Sequence, residues 1–186
     1  VASYRIFLSK VGGRIWVKMG EKCTFEGQIS IQVVPFDLVG QYTCRLDDKG
    51  RLKLPSELLA QLGPDHGETF VLNRSIEKCL ILYPKIVWEQ FTEQLKQISD
   101  FSPSGLKFKR AFYRDSHRMV KDASGRVLMS RLLLDYAGID RDITLICEGN
   151  KVEIWDTQTV EQDRMNQEDF TNLAQNIFGG MYLENK

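Results

Sequence analysis

The sequence lacks net charge: its 25 basic and 25 acidic side chains cancel. No field of the whole chain therefore draws it to a polyanion, and any nucleic-acid binding must use cations gathered on one face or summed over several subunits. Long apolar runs are also missing. Nothing approaches the ~20 residues that span a bilayer, and Ile6-Phe7-Leu8 is too short for the core of a signal peptide. The chain is expected in the cytoplasm. Its four cysteines, Cys23, Cys44, Cys79 and Cys147, lack the close pairing of a structural zinc site. The last three lie in apolar or strand-like runs, where a free thiol behaves as a small hydrophobe, so reduced, structural cysteines are predicted. The two histidines, His66 and His117, have no second ligand-type residue nearby. No metal and no cofactor is predicted. Gly12-Gly13 and Gly179-Gly180 lack the strand–loop–helix context of a phosphate cradle. No nucleophile–histidine pairing supports Asp47 and Asp122 as an acid–base couple, so an enzyme and a small-molecule substrate are not expected.

What is present is a soluble, globular composition, 42% hydrophobic and 27% charged, in 186 residues. Within it one unit occurs twice. LDDKGRLKLPSELLAQLG, from Leu46 to Gly63, matches KDASGRVLMSRLLLDYAG, from Lys121 to Gly138, with Arg51 on Arg126 and Gly63 on Gly138. Both stretches carry Asp-x-x-Gly-Arg: Asp47, Gly50 and Arg51, then Asp122, Gly125 and Arg126. The match continues as Thr69 on Ile143 and, after a shortened loop, as Ile81-Leu82-Tyr83 on Glu153-Ile154-Trp155.

Each copy has the same local reading. A polar turn ending in glycine joins two short strands, because glycine accepts the positive φ of a tight hairpin. Leu52 and Leu54 then alternate with Arg51 and Lys53, as in a strand with one buried face. A short helix follows, Ser56 to Leu62 and Arg131 to Ala137, with Pro55 suited to a first helical position, Ser130 to an N-cap, and Gly63 and Gly138 to the end. Two further strands form a hairpin: Thr69 to Leu72 with Leu80 to Tyr83, and Ile143 to Cys147 with Val152 to Trp155. Such a unit is too small to bury much alone, so the copies are expected to pair around a shared core.

Between the copies, Trp88, Phe91, Leu95 and Ile98 recur at helical spacing. Ser102-Pro103-Ser104-Gly105 breaks that helix. A second helical stretch, Leu106 to His117, is basic through Lys107, Lys109, Arg110 and Arg114, with His117 and Arg118 at its end; it is read as a solvated face, with phosphate contact the sharper alternative. Tyr83, Trp88 and Trp155 are read as core or interface aromatics rather than base-stacking platforms. The expected organisation is an N-terminal extension over 1–35, a first module with its following helix over 36–99, the basic helix and second module over 100–161, and a helical tail over 162–186. Met19-Gly20 reads as a candidate translation start. In the tail, Phe170, Leu173, Ile177 and Phe178 have helical spacing and fit either packing on a neighbouring subunit or a frayed end; Gly179-Gly180 then precede a short terminus.

Gly40-Gln41-Tyr42 leading to Leu46-Asp47-Asp48-Lys49-Gly50-Arg51-Leu52-Lys53-Leu54-Pro55, and Cys79-Leu80-Ile81-Leu82-Tyr83-Pro84 followed by Trp88-Glu89, resemble the opening repeat of the MraZ family. Asp122 to Arg126, Ala137-Gly138 and Glu153-Ile154-Trp155-Asp156 resemble its second repeat, so the resemblance covers about Phe36 to Glu161. It implies an α+β, mainly β fold of two pseudo-repeated AbrB/MraZ-like β-barrel modules with short helices. It further implies a transcriptional regulator, cytoplasmic and nucleoid-associated, that assembles with itself into a ring. Such rings bind double-stranded DNA at promoter repeats of the division and cell-wall gene cluster. The family's hairpin loops contact DNA, which nominates Asp47, Lys49, Arg51, Asp122 and Arg126 here. The chain departs from the family pattern at Met129-Ser130, where an aliphatic–proline pair is usual, in the second loop, which has no counterpart of Lys49, and in the length before Phe36.

The chemistry fits that assignment. Arginine's planar fork meets guanine O6 and N7 together, and a two-stranded ribbon can enter the major groove. Side-chain alternation places Arg51 and Lys53 on one strand face, with Lys49 in the turn and Arg45 on the preceding strand. Arg51 and Arg126 are assigned to bases, and Arg45, Lys49 and Lys53 to phosphates. Asp47 and Asp122 are read chiefly as braces of the turn. An AbrB-type antitoxin or protein-interaction module is the alternative, and its mass in solution would be that of a dimer.

Overall fold

The computed structural model describes residues 7–11, 14–18 and 36–183. Two compact units, 1–33 and 34–186, divide the chain. In the first, strands β1 (Phe7–Val11) and β2 (Arg14–Lys18) pair antiparallel, with Val11 opposite Arg14. Met19-Gly20 and Cys23 lie outside the described residues.

The second unit holds both copies. The first contributes β3 (Leu38–Arg45), β4 (Arg51–Lys53), α1 (Ser56–Leu62), β5 (Thr69–Arg74) and β6 (Leu80–Pro84), followed by α2 (Lys85–Lys96) and α3 (Pro103–Arg114). The second repeats this order with β7 (His117–Val120), β8 (Arg126–Leu128), α4 (Arg131–Ala137), β9 (Asp142–Gly149) and β10 (Lys151–Asp156), followed by α5 (Thr157–Gln162) and α6 (Gln167–Leu183).

The architecture is α+β with more sheet than helix, and the strands interleave the copies. One six-stranded sheet has the order β3-β9-β10-β6-β5-β7, and β4 pairs with β8 in a separate ribbon. Exchanging each strand for its counterpart reverses the six-stranded order onto itself, so a pseudo-twofold axis passes between β10 and β6, where Glu153 faces Ile81. The same exchange maps the ribbon onto itself through Leu52 and Val127, both fully buried. The main core draws Leu52, Leu54, Leu58, Phe70, Leu72 and Leu82 from the first copy and Val127, Leu133, Leu134, Ile143, Leu145 and Ile154 from the second. The shared core expected from the size of one unit is present.

Several local expectations are corrected. The six-stranded sheet is open, so neither copy closes a barrel of its own. The strands flanking each polar turn do not form an ordinary hairpin: beside the first turn the ladder is reduced to the isolated Leu46–Leu52 bridge, while β3 pairs with β9 and β4 with β8. The repeat register in the third strand shifts by one residue. Thr69 faces Val120 and Asp142 faces Arg45, so Asp142, not Ile143, corresponds to Thr69. A one-residue shift moves every side chain to the opposite face, and it is Ile143 and Leu145 that join Phe70 and Leu72 in the core. Pro55 is the N-cap of α1 rather than its first residue. Ser130 is the N-cap of α4, yet its side chain makes no capping bond and lies 3.5 Å from His117 Nε2. Backbone angles at Pro55 (φ −57°, ψ 141°) and Ser130 (φ −72°, ψ 121°) are alike, so the missing proline hardly changes the turn. Ser102 caps α3 by accepting the Gly105 N–H, which makes the supposed break a helix start. The basic helix ends at Arg114, and His117 and Arg118 belong to β7. Gly179 lies within α6 rather than after it.

On the other face of the sheet, Val71, Ile81, Tyr83, Val87 and Trp88 form a second apolar cluster against Phe112 of α3. The Trp88 and Phe112 rings stack at 5.3 Å. Tyr83, Trp88 and Trp155 are all buried, as read for core aromatics. Cys44 and Cys147 are half-buried and Cys79 is buried; all three are free thiols. Burial pushes the Cys79 thiol up to about 11, which leaves it protonated and unreactive near neutrality.

Candidate nucleic-acid interface

Each polar turn is organised by its own aspartate. The Asp47 N–H donates to Arg51 O at 2.9 Å and the Gly50 N–H to Asp47 O at 2.9 Å, closing the turn. Oδ1 of Asp47 accepts the backbone N–H groups of Lys49 and Arg51, at 2.9 Å each. Asp122 does the same for Ser124 at 2.8 Å and Arg126 at 2.9 Å. Short polar side chains satisfying their own turn amides are the reason Asp suits this position. Gly50 and Gly125 have φ of +72° and +76°, a left-handed conformation that costs a residue with a Cβ but not glycine. The backbone N–H groups of Arg51 and of Arg126 are the largest cause holding the Asp47 and Asp122 carboxyls below their ordinary value. Both aspartates thus brace their loops.

The arginines differ. Arg51 Nε donates to Asp47 Oδ2 at 2.8 Å. Among the described residues, Arg126 makes no matching ion pair at hydrogen-bond distance with Asp122; it acts on that carboxylate through its charge. The first loop therefore holds its arginine and the second leaves it looser.

The ribbon places cations of both copies together. Arg51 faces Leu128, Leu52 faces Val127, and Lys53 faces Arg126. With Leu52 and Val127 turned into the core, the alternation of strand side chains sends Arg51, Lys53, Arg126 and Leu128 to the outer face. The loops lock the ends reciprocally: the Leu54 N–H donates to Gly125 O and the Met129 N–H to Gly50 O, each at 3.0 Å. Of the residues nominated from sequence, Arg51, Lys53 and Arg126 share this one surface, and Lys49 is exposed in the adjoining turn. Arg45, exposed at the end of β3 just before the Leu46–Leu52 bridge, is in an ion pair with Asp142 at 3.4 Å.

Two participants were not singled out from sequence. Arg141 Nη2 donates to Asp48 Oδ1 at 2.8 Å and ties the second copy to the first loop. That pair spans the chain, and no local pattern announces it. Leu128 is 62% exposed beside the cations. The repeat alignment sets it on Lys53, and this mismatch of leucine with lysine was the available signal.

Comparisons with known proteins agree with the repeat. Residues 38–111 and 112–179 each match the family model described as "MraZ protein, putative antitoxin-like". The chain is 35% identical over 145 residues to a protein of Christiangramia forsetii named Transcriptional regulator MraZ, covering 77% of this chain and 94% of the relative. A protein of the same name from Flavobacterium psychrophilum is 34% identical over 148 residues, covering 77% and 93%. One from Kineococcus radiotolerans is 35% identical over 123 residues, covering 66% and 83%.

Proposed function

Since the chain belongs to the MraZ family, we infer that it is a DNA-binding transcription regulator whose paired loops and ribbon form the reading surface. The observation that carries this reading is the gathering of half-buried Arg51 and Arg126 and exposed Lys53 on the outer face of one ribbon built by both copies. Arg51 and Arg126 contact guanine edges, and Lys49 and Lys53 contact phosphates. Arg45, already paired with Asp142, is a peripheral phosphate contact. Asp47 and Asp122 act by holding the loops in shape.

A base-specific contact is worth about 1–3 kcal/mol, so one ribbon supplies too little for useful affinity at physiological salt. The proposal therefore includes a ring-shaped homo-oligomer that lays several ribbons along promoter repeats of the division and cell-wall gene cluster, and multiplies weak contacts through effective concentration. This reconciles a chain of zero net charge with a polyanionic partner. Both copies are needed to build one ribbon, since β4 comes from the first and β8 from the second. No helix among the described residues is long and apolar enough to cross a membrane.

The test is a titration of labelled duplex from upstream of the protein's own gene against a scrambled duplex, at several salt concentrations. Preference for the native duplex by about tenfold or more, with a steep salt slope, is expected. Equal, weak binding to both would overturn the reading in favour of a protein-interaction module.

A further inference from the structure

The helix α6 carries an unpartnered apolar face. Phe170, Leu173, Ile177 and Phe178 follow the i, i+3, i+7, i+8 spacing of one helical face, and each is between 45% and 60% exposed. From Met165 to Leu183 the chain contains two charged side chains, Glu168 and Asp169, both acidic and both in the first turn. A second exposed surface has the opposite sign. Helix α3 contains Lys107, Lys109, Arg110 and Arg114 and no acidic residue. Lys109 is tied to Asp100 and to Ile98 O, and Arg114 to Asp115. Lys107 and Arg110 are exposed, and neither makes an ion pair among the described residues. Beside them stand exposed aromatic side chains: Phe108, Tyr113 and, at the turn before the helix, Phe101.

We propose that α6 of one copy docks on α3 of a second copy, its apolar face on Phe101, Phe108 and Tyr113 and its acidic first turn on Lys107 and Arg110. Charge selects this pairing. Packing α6 against α6 would set acidic turns on acidic turns, or leave them without a partner, whereas α3 supplies cations and no anion. The contact joins two different surfaces, so it is head-to-tail and leaves α3 free on the copy that gave its α6, and α6 free on the copy that gave its α3. Repetition then yields either a closed ring or an open filament. The inference rests on the homo-oligomer reading above and names the surfaces that make it.

The test is sedimentation of the full chain across a concentration series, with the DNA titration run in parallel. Lys107→Glu/Arg110→Glu and Glu168→Lys/Asp169→Lys should each weaken assembly by about tenfold or more, and combining all four changes should restore it. Ile177→Asp should weaken assembly at least as much, since burial of one large aliphatic side chain corresponds to about tenfold or more in affinity. All of these positions are exposed, and circular dichroism checks that the fold survives. Unchanged assembly in the α3 charge variant would overturn the proposal while leaving self-assembly intact. Assembly lost by Ile177→Asp but indifferent to α3 would overturn it in favour of α6 pairing with itself. A wild-type chain that stays monomeric yet prefers its native duplex would overturn the docking and leave the DNA reading standing.

Discussion

After β6 the polypeptide turns back as α2 and α3 and seals one face of the sheet; after β10 the short helix α5 rests on β9 and β10, with Thr157 Oγ1 3.0 Å from Thr144 Oγ1, and α6 leaves with its apolar side chains in solvent. The backbone course up to that point is shared, so the difference lies in what each copy offers for a helix to rest on. In the first copy the outward positions are Val71, Ile81 and Tyr83, and buried Asn73 reaches across to α3, donating to Phe112 O at 3.3 Å. Ser116 Oγ donates to the same carbonyl at 2.8 Å, and Arg74 pairs with Asp115 at 2.9 Å. The second copy has Thr144, Glu153 and Trp155 on the matching face, and Ile146 at the place of Asn73. Glu153 is occupied by Lys151 and Trp155 Nε1. The duplicated unit has thus kept one half of the shared sheet as an apolar bed for two helices and placed more polar residues on the other half, which leaves α6 for another partner.

Substitutions can sharpen that contrast, and the largest effect belongs to the aromatic seal. Trp88→Ala should cost about 3–5 kcal/mol of folding stability, whereas Val160→Ala, at the corresponding place in α5, should cost no more than about 1 kcal/mol; urea denaturation compares the two. Equal losses would mean that α5 and α6 seal the second copy after all. At the ribbon, where the copies are equivalent, Leu52→Ala should cost about 2–5 kcal/mol and lower the melting temperature accordingly. Arg51→Ala and Arg126→Ala should each weaken specific DNA binding by about 1–3 kcal/mol with the fold intact. The double variant should lose all preference for the native duplex; unchanged affinity would remove the loops as readers. Exchanging Asn73→Ile should loosen α3 by about 1–3 kcal/mol, the cost of losing a buried hydrogen bond, and faster hydrogen exchange in α3 would report it.

The smallest effect separates the two loops. Asp47→Ala removes a brace and the Arg51 ion pair, while Asp122→Ala removes a brace alone. The first should lower the melting temperature more than the second. Because both carboxyls titrate below their ordinary value of 3.8 in the folded protein, their contribution is full above that value and is lost as pH falls through the lowered one. Carboxyl NMR titrations that place either at or above 3.8 would contradict the bracing.

Much of the fold and of the candidate interface is legible in the residues alone. Two Asp-x-x-Gly-Arg stretches in one order announce the duplication, and Gly50 and Gly125 announce turns that need positive φ. The limits of α1 and α4 follow from Pro55, Gly63, Ser130 and Gly138. The alternation Arg51-Leu52-Lys53 sets its cations on one face. The one-residue shift at β9 is not legible, because Thr69, Phe70 and Val71 and Ile143, Thr144 and Leu145 are all good strand residues in either register. The Arg45–Asp142 and Arg141–Asp48 pairs are equally hidden, since each joins residues far apart in the chain.

By itself the sequence determined the local elements and the chemistry at the loop tips, because turn propensity, strand alternation and capping act over a few neighbouring residues. The hairpins β5–β6 and β9–β10 form as read from sequence, but tertiary structure alone decided how β3, β4, β7 and β8 pair. Local rules favour β3 with β4 and β7 with β8 as separate hairpins, yet β4 pairs with β8 and β3 with β9. The physical reason is burial: a single copy has too little apolar surface to enclose Leu52 or Val127, and interleaving puts both at the centre of a core that neither copy could close alone.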